Sequence, residues 1–593
     1  MRSKIILFII LLCAMVNFAW ADAHRAFLMN PVKEDGRNII SDNKAPVKFT
    51  PLIVVDTSGR IPTMTNFYDY RTNGNNLRGL WVFGDTIIVS ADLVDSANAS
   101  ISTARNSFYQ ASFDGGLTWF DAPIQVSALG NAYPDIDPVI ITGVRTVCLS
   151  GRQFVSGARG CYIADDAQLG AGSITSYLVD LAQEDFTMQM DATHLAGGYE
   201  SRTTDSLFFT KFDFTTNTYS GRTLLAVATD GINANARSYT AANLTGKVAI
   251  AWWDGAAIEE YVRVSTDFGA TFGSTVHVVP NGSIVNGDAV EPWLAADIMF
   301  SPTGNLCMAI STIEPGNLGT PRGSKLIFWS PAINSGNAVV IVDYHNAPSN
   351  SMLTDTTYYD NHYSSNNQQT GMTAFSHPSL AYSSDGSMLF CVYNVVQRDT
   401  ADYRYFFNDI CESYSTDNGA TWSAPVKLTN TPQTDEIYAI ISKTGCTPSN
   451  IAVTYQLSAF PGSYSFQSTT NPSPDGRVYN IFKRFDPVTG NEITIGIINI
   501  SNEVPAHFIL NQNYPNPFNP STKIRFALPK TANVTLRVYN SLGQVVATLV
   551  NNERVEAGTK EVTFDASKYA SGIYFYTMSA GDFTQTKKMI LLK

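Results

Sequence analysis

The sequence predicts an all-β chain in two parts: a long array of repeated four-stranded sheets, then a small β-sandwich. Three observations predict it. Short apolar segments of strand length alternate with Gly-, Asn-, Asp- and Ser-rich turns along the chain. One turn motif recurs three times in the middle. From residue 505 onward the charge reverses sign. Composition sets the bounds. The 593 residues are 44% hydrophobic and 12% aromatic, which excludes general disorder, and their number calls for more than one domain. A net charge of −12 without a basic run argues against nucleic-acid binding. Beyond the leader no apolar run reaches the roughly 18 residues of a spanning helix.

The leader comes first. Arg2 and Lys4 precede an apolar run over 5–13, and Ala19-Trp20-Ala21 and Ala21-Asp22-Ala23 follow as small-x-small cleavage candidates. This predicts a signal peptide over 1–23 and export. Export exposes the remaining cysteines to an oxidising space. Cys148 with Cys161, and Cys391 with Cys411, flank strand–loop–strand segments and are disulfide candidates. Register is not legible in sequence, so buried free thiols stay open for both pairs. Cys307 and Cys446 have no evident partner. No Cys-x-x-Cys spacing occurs, so no metal site and no cofactor is expected.

The repeated motif is Ser-x-Asp-x-Gly-x-Thr-aromatic. It stands at Ser112, Asp114, Gly116, Thr118 and Trp119, at Ser265, Asp267, Gly269, Thr271 and Phe272, and at Ser415, Asp417, Gly419, Thr421 and Trp422. A carboxylate capping turn amides, a glycine supplying positive φ and hydroxyls satisfying the remaining groups make it a structural turn. One carboxylate per turn is a poor calcium loop. The motif resembles the Asp-box of sialidase-like β-propellers (BNR repeats). The resemblance implies that Asp114, Asp267 and Asp417 are fold residues between the third and fourth strands of a blade.

Starts 153 and 150 residues apart put the boxes three blades apart if a blade takes about 50 residues. Innermost strands are expected to begin at Arg78, at Pro134 and Asp135, and at Arg237, Glu291, His377 and Glu436. An unmarked blade falls near 186–230, and the blade from 291 to 377 carries an insertion. That gives seven blades, with six as the alternative. The apolar segment 49–55 is expected to pair with the last blade, around 478–500, closing a ring over residues 40–500.

After 501 the texture changes. Residues 505–593 carry +5 and the leader +1, which leaves −18 for the middle. Strands are expected over 523–528, 533–539, 545–550, 560–564, 572–578 and 584–592, an Ig-like β-sandwich. Residues 513–522 (Asn-Tyr-Pro-Asn-Pro-Phe-Asn-Pro-Ser-Thr), 538–544 (Val-Tyr-Asn-Ser-Leu-Gly-Gln), 564–567 (Phe-Asp-Ala-Ser), 570–576 (Ala-Ser-Gly-Ile-Tyr-Phe-Tyr) and 587–593 (Lys-Lys-Met-Ile-Leu-Leu-Lys) resemble the type A C-terminal sorting domain of the type IX secretion system. This resemblance implies a Gram-negative bacterium of the Bacteroidota or their relatives, and the secretion machinery as a partner. It also implies release or attachment at the outer-membrane surface.

The sialidase resemblance also sets a chemical test. It implies an arginine triad on the substrate carboxylate, a Glu-activated Tyr nucleophile and an Asp proton shuttle. The chain departs from it. Arg60-Ile61-Pro62 stands upstream of the expected strand, Arg78 lacks the following Ile-Pro, and residues 90–95 (Ser-Ala-Asp-Leu-Val-Asp) replace the second arginine. Tyr199 and Glu200 are adjacent and so point to opposite faces.

Two binding candidates remain. Equivalent positions on innermost strands ring one mouth of a propeller, so Arg78, Asp135, Arg237, Glu291, His377 and Glu436 form either a polar ligand funnel or a set of mutually paired rim residues. The insertion over 343–376 offers Tyr344 and His345, then Tyr358, Tyr359, His362 and Tyr363, among Asn, Ser and Thr suited to sugar hydroxyls. His362 with Asp355 and Asp360 makes a poor metal site. No Gly-x-Ser-x-Gly, His-Glu-x-x-His or Walker loop occurs. Three functions stay open: a non-catalytic surface binder of a glycan or protein, a glycoside hydrolase of altered chemistry, and a structural surface component.

Overall fold

Runs such as Val248–Asp254 and Ile451–Ser458 are apolar, rich in β-branched and aromatic residues, and buried along their whole length, as strands covered on both faces must be. In a computed structural model they are the second strands of antiparallel sheets. The structure describes residues 60–66, 78–93, 106–127, 131–155, 158–201, 206–227, 237–316, 324–348, 373–459, 478–501 and 505–592. Residues 117, 142–143, 182–184, 190–193, 214–215, 217, 255–256, 403–404, 494–496, 556 and 567–568 are omitted within these spans. The described residues are strands and turns, with one 3-10 turn at Asn334–Gly336 and no α-helix among them.

Seven sheets follow one another in sequence. Sheets 1 to 4 cover residues 80–125, 131–181, 185–227 and 237–279. Sheets 5 and 6 cover 283–342 and 375–427. Each is an up-and-down meander, and sheet 5 gains a fifth short strand at Ser283–Val285. Sheet 7 joins three strands of 435–485 to Arg60–Asn66, which pairs with Val478–Phe485. The first strand of each sheet packs on that of the next from sheet 2 to sheet 7. Arg60–Asn66 packs on Thr86–Leu93 of sheet 1, and Leu80–Phe83 packs on Ile451–Ser458 of sheet 7. Asn480 Nδ2 donates to the Met64 carbonyl (2.9 Å), which fastens the N-terminal strand.

The expected partner of the last sheet, 49–55, lies outside the described residues; the strand that pairs there is Arg60–Asn66. The segment Ile497–Ser501 also corrects the expectation, because it pairs with Gly558–Asp565 of the C-terminal part.

The three motif turns share one hydrogen-bond network and join the third and fourth strands of sheets 1, 4 and 6. In the first, the Ser112 hydroxyl donates to Asp114 Oδ1 (2.8 Å) and accepts from the Gly116 amide (2.9 Å). The Thr118 amide and hydroxyl donate to the two Asp114 oxygens (2.8 and 2.6 Å). Asp267 and Asp417 repeat it with Thr271 and Thr421. The Thr271 bonds hold the Asp267 carboxyl down to about 2. The spacing differs from expectation: three sheets separate the first two turns but only two separate the last two, because sheet 5 and its insertion lengthen the chain between them.

Each turn clasps the preceding sheet. Its aromatic lies on a phenylalanine there: Trp119 on Phe482, Phe272 on Phe209 and Trp422 on Phe328, with centroids 5.0–5.8 Å apart. The motif glycine abuts the same ring. A Cβ on Gly419, at φ +96°, would stand 2.2 Å from Phe328. A fourth, unmarked turn works alike in sheet 2. Asp166 accepts from the Tyr109 hydroxyl and the Gly172 and Ser173 amides, and Gly170 abuts Phe120 of sheet 1.

The C-terminal part is two four-stranded sheets. Alternation is clean in Ser521–Leu528 and Gly572–Ala580, whose inward residues include Ile524, Phe526, Tyr576 and Met578. The Tyr576 hydroxyl donates to the Asn511 carbonyl and accepts from the Asn513 amide (2.8 Å each), pinning the Asn513 motif to the core.

Candidate functional site

Two cations bolt the first strands together. Arg78, at the start of sheet 1, donates from Nε and Nη2 to Asp135 Oδ2 of sheet 2 (3.0 and 2.7 Å) and from its amide to Oδ1 (2.6 Å). Its Nη1 reaches the Thr240 carbonyl of sheet 4 (2.9 Å). Lys443 of sheet 7 pairs with Asp297 of sheet 5 and donates to the Leu380 carbonyl of sheet 6 (2.6 Å). Asp297 also accepts from the Leu380 amide (2.7 Å). The Thr240 hydroxyl accepts from Gly198 of sheet 3. Sheets 1 to 4 are thus tied into one group by polar bonds, and sheets 5 to 7 into another. Burial opposes the charge on Arg78, but Asp135 outweighs it and raises the guanidinium pKa. Of the two arrangements open for Arg78 and Asp135, a funnel lining or mutual pairing, the structure shows the pairing, buried rather than at a solvated rim.

A second layer is set by β-bulges. First strands slip register between Ala132 and Asp135, Pro292 and Ala296, Ser376 and Ser379, and Ile437 and Ile440. In the last three the first extra residue is Trp293, His377 or Tyr438, so one device delivers an aromatic or imidazole at matched positions. His377 and Tyr438 sit at φ +53° and +57°, a region that bulky residues occupy only under constraint. They meet edge to face at 4.9 Å. Trp293 stacks edge-on against Trp253 (5.8 Å), whose indole nitrogen bonds the Pro292 carbonyl.

Around this layer lie polar atoms with no hydrogen-bond partner: Trp293 Nε1, Glu436 Oε2 and both amide atoms of Gln456. Glu436 Oε1 accepts from the Thr431 hydroxyl (3.1 Å). Burial, aided by the charge of Asp409, pushes its carboxyl up to about 8, so it is protonated at neutral pH. Glu291, also buried, accepts from the Gly316 amide (3.2 Å). Arg237 begins the first strand of sheet 4, opposite Trp253. Sequence reasoning named His377 and Glu436 as candidates but not Trp293 or Tyr438. The signal was there: an aromatic within one or two residues of Pro or Ala in four strand starts.

Of the insertion's candidates, Tyr344 and His345 are described, their rings meeting at a tilt with centroids 3.9 Å apart. Tyr358, Tyr359, His362 and Tyr363, with Asp355 and Asp360, lie outside the described residues. At its base the fully buried Lys325 bonds Asp288 (2.7 Å) and Asp343 (3.3 Å) under the Tyr344 ring. Burial would raise the Asp343 carboxyl, but bonds from Asn286 and His345 and the Lys325 charge lower it. Arg60 opens the outer strand of sheet 7, remote from the first strands. Tyr199 and Glu200 are consecutive strand residues, paired with Phe208 and Leu207.

The disulfide expectations are overturned. Cys391 faces Ser413 while Cys411 faces Tyr393. That diagonal is about 7–8 Å, too far to bridge, and both are free buried thiols. Cys148 faces Asp165 and Cys161 faces Arg152, four residues out of register, and Cys148 is free. Cys307 and Cys446 are also free and buried. No metal-ligating cluster occurs among the described residues.

Residues 512–592 match the family described as "Secretion system C-terminal sorting domain". The tail therefore marks the chain for export by the type IX system of the Bacteroidota, to the cell surface or beyond. Among the described residues no helix is long and apolar enough to cross a membrane. No curated protein matches the sequence. Among solved structures, a PL25 polysaccharide lyase (an ulvan lyase) is 10% identical with TM-score 0.42, over 66% of this chain and 93% of its own. Trypanosoma rangeli sialidase is 8% identical with TM-score 0.30, over 86% and 84%. The six-bladed β-propeller lectin of Aleuria aurantia is 11% identical with TM-score 0.29, over 55% and 88%. Scores this low carry no argument about activity.

Proposed function

We propose that the chain is an exported seven-bladed β-propeller that binds a glycan without cleaving it. Sheets 1 to 7 are the blades, Arg60–Asn66 is the strap that closes the ring, and the motif turns are Asp-boxes. A signal peptide over 1–23 starts export, and the ligand site is the bulge layer above the two cation bolts. One observation carries the reading: matched bulges hold His377 and Tyr438 in left-handed backbone and present Trp293, and Trp293 Nε1, Glu436 Oε2 and both amide atoms of Gln456 lack partners. Buried polar atoms are normally satisfied, and strained residues persist where the surroundings impose them. Aromatic faces beside amide and carboxyl groups suit a polyol. Binding to immobilised polysaccharides tests it. The purified chain is expected to retain at least one polysaccharide, and Trp293→Ala and Gln456→Ala to weaken that binding at least tenfold. Retention of none, or equal retention by both variants, removes the proposal.

One observation favours a hydrolase instead: Glu436, protonated at neutral pH, has the charge state that a general acid needs. New reducing ends released from the retained polysaccharide, and their loss in Glu436→Gln, would establish it.

A further inference from the structure

Three sorting-domain segments, distant in sequence, converge at one end of one sheet. The strands Ala532–Tyr539, Gly572–Ala580 and Phe583–Leu591 alternate inward and outward residues, and the register aligns the outward ones in rows. Tyr539 pairs with Val545 on one side and Phe575 on the other, and Phe575 pairs with Lys588. Ile573 pairs with Ile590, and Leu592 lies two residues further along the same edge. The 540–544 turn adds Leu542. The far end of the same face is hydroxylated instead, with Thr535, Ser579 and Thr584 in one row.

The near end is apolar and open. Leu542 is 81% exposed, Leu592 54%, Val545 51% and Ile573 47%, although the same segments bury Val538, Tyr574, Tyr576 and Leu591 in the core. Core burial therefore explains only every second residue of these motifs. The outward set forms a contiguous apolar patch of the kind that marks contact surfaces. Its charged neighbours on this face are Arg537 and Lys588, and among the described side chains of the face there is no carboxylate.

We infer that this patch (Tyr539, Leu542, Val545, Ile573, Phe575 and Leu592) is the surface by which the tail docks on the secretion machinery. The occupant is an apolar hollow with an acidic rim. The inference rests on the export reading, which the family match over 512–592 supports. Charge supplies the second argument. The tail carries +5 and the middle of the chain −18, so an acidic rim attracts the tail and repels the cargo it must release.

The test uses the full chain expressed in a type IX-competent bacterium, with the medium and surface fractions compared with the periplasm. The triple variant L542S/I573S/L592S replaces only exposed residues, and T535A/S579A/T584A alters the opposite end of the same face. The first is expected to lower the exported fraction at least tenfold with its melting temperature kept, and the second to leave export within twofold. K588E, a single exposed change, is expected to lower export several-fold. A photo-crosslinker at residue 573 is expected to capture an outer-membrane component of the secretion machinery. Normal export of the first triple variant and of K588E overturns the inference, as does crosslinking only to a second copy of the chain. Failure of the unaltered chain to leave the periplasm sinks the export reading instead.

Discussion

The ring of Trp119 stands edge-on to that of Phe482 at 5.8 Å, joining the first sheet to the last across most of the chain. Gly116 abuts the same phenylalanine, and the Thr444 hydroxyl donates to the Val82 carbonyl nearby (2.8 Å). Sheets 3 and 4, and sheets 5 and 6, repeat this contact. Phe482→Ala therefore removes both a core ring and one clasp. It is expected to cost about 3–5 kcal/mol and to lower the unfolding midpoint in urea accordingly. Phe328→Ala should cost a similar amount. An effect at Phe328 without one at Phe482 would mean that the contact between first and last sheets does not contribute to the folded state.

Arg78 and Asp135 are predicted to behave as a buried pair rather than as ligand residues. Removing one partner strands the other, so Arg78→Met is expected to destabilise by about 3–5 kcal/mol. The double variant R78M/D135L should recover much of that loss, because it removes the stranded charge as well. Chemical denaturation of the two singles and the double measures the coupling. Additive losses would refute a mutual pair.

Much of this organisation was legible beforehand. Strand starts at Arg78, Arg237, Glu291, His377 and Glu436 could be read because each opens an apolar run, and the sorting-domain strands because their alternation is strict. The motif turns were visible because backbone geometry dictates their residues. The turn at Asp166 was not, since an Asp and a Tyr109 from another sheet do the work of the local Ser and Thr. The cysteine pairs failed for a related reason: a slip of two or four residues in register changes no composition, yet it moves two cysteines beyond bonding reach. That the ring residues pair with one another was one of two readings open for Arg78 and Asp135, but nothing local indicates that the pair is buried.

Glu412 has both carboxyl oxygens buried without a partner, between Val392 and Val426 on the neighbouring strands. Burial pushes its carboxyl well above the usual range. The folded state thus holds a proton that the unfolded state gives up above about pH 4.5. Stability from this group is complete below that pH and is lost as pH rises towards the folded-state value. Glu412→Met, which fills the same space, is expected to raise the melting temperature at pH 8 and to leave it nearly unchanged at pH 4. An equal shift at both pH values would indicate a packing effect alone.

Glu436 extends the same linkage to the proposed ligand site. Its carboxyl, pushed to about 8 chiefly by burial, is neutral through the physiological range and can donate to a ligand oxygen. Above pH 8 it ionises, and the donor becomes an acceptor carrying charge beside Asp409. Polysaccharide retention is therefore expected to hold level from pH 6 to 7.5 and to fall at least fivefold by pH 9.5. Glu436→Gln keeps an N–H donor at every pH, so its retention should stay flat over the whole interval. Retention measured at half-unit steps for both proteins tests this, because a fall that persists in the Gln variant would rule out Glu436 as the donor.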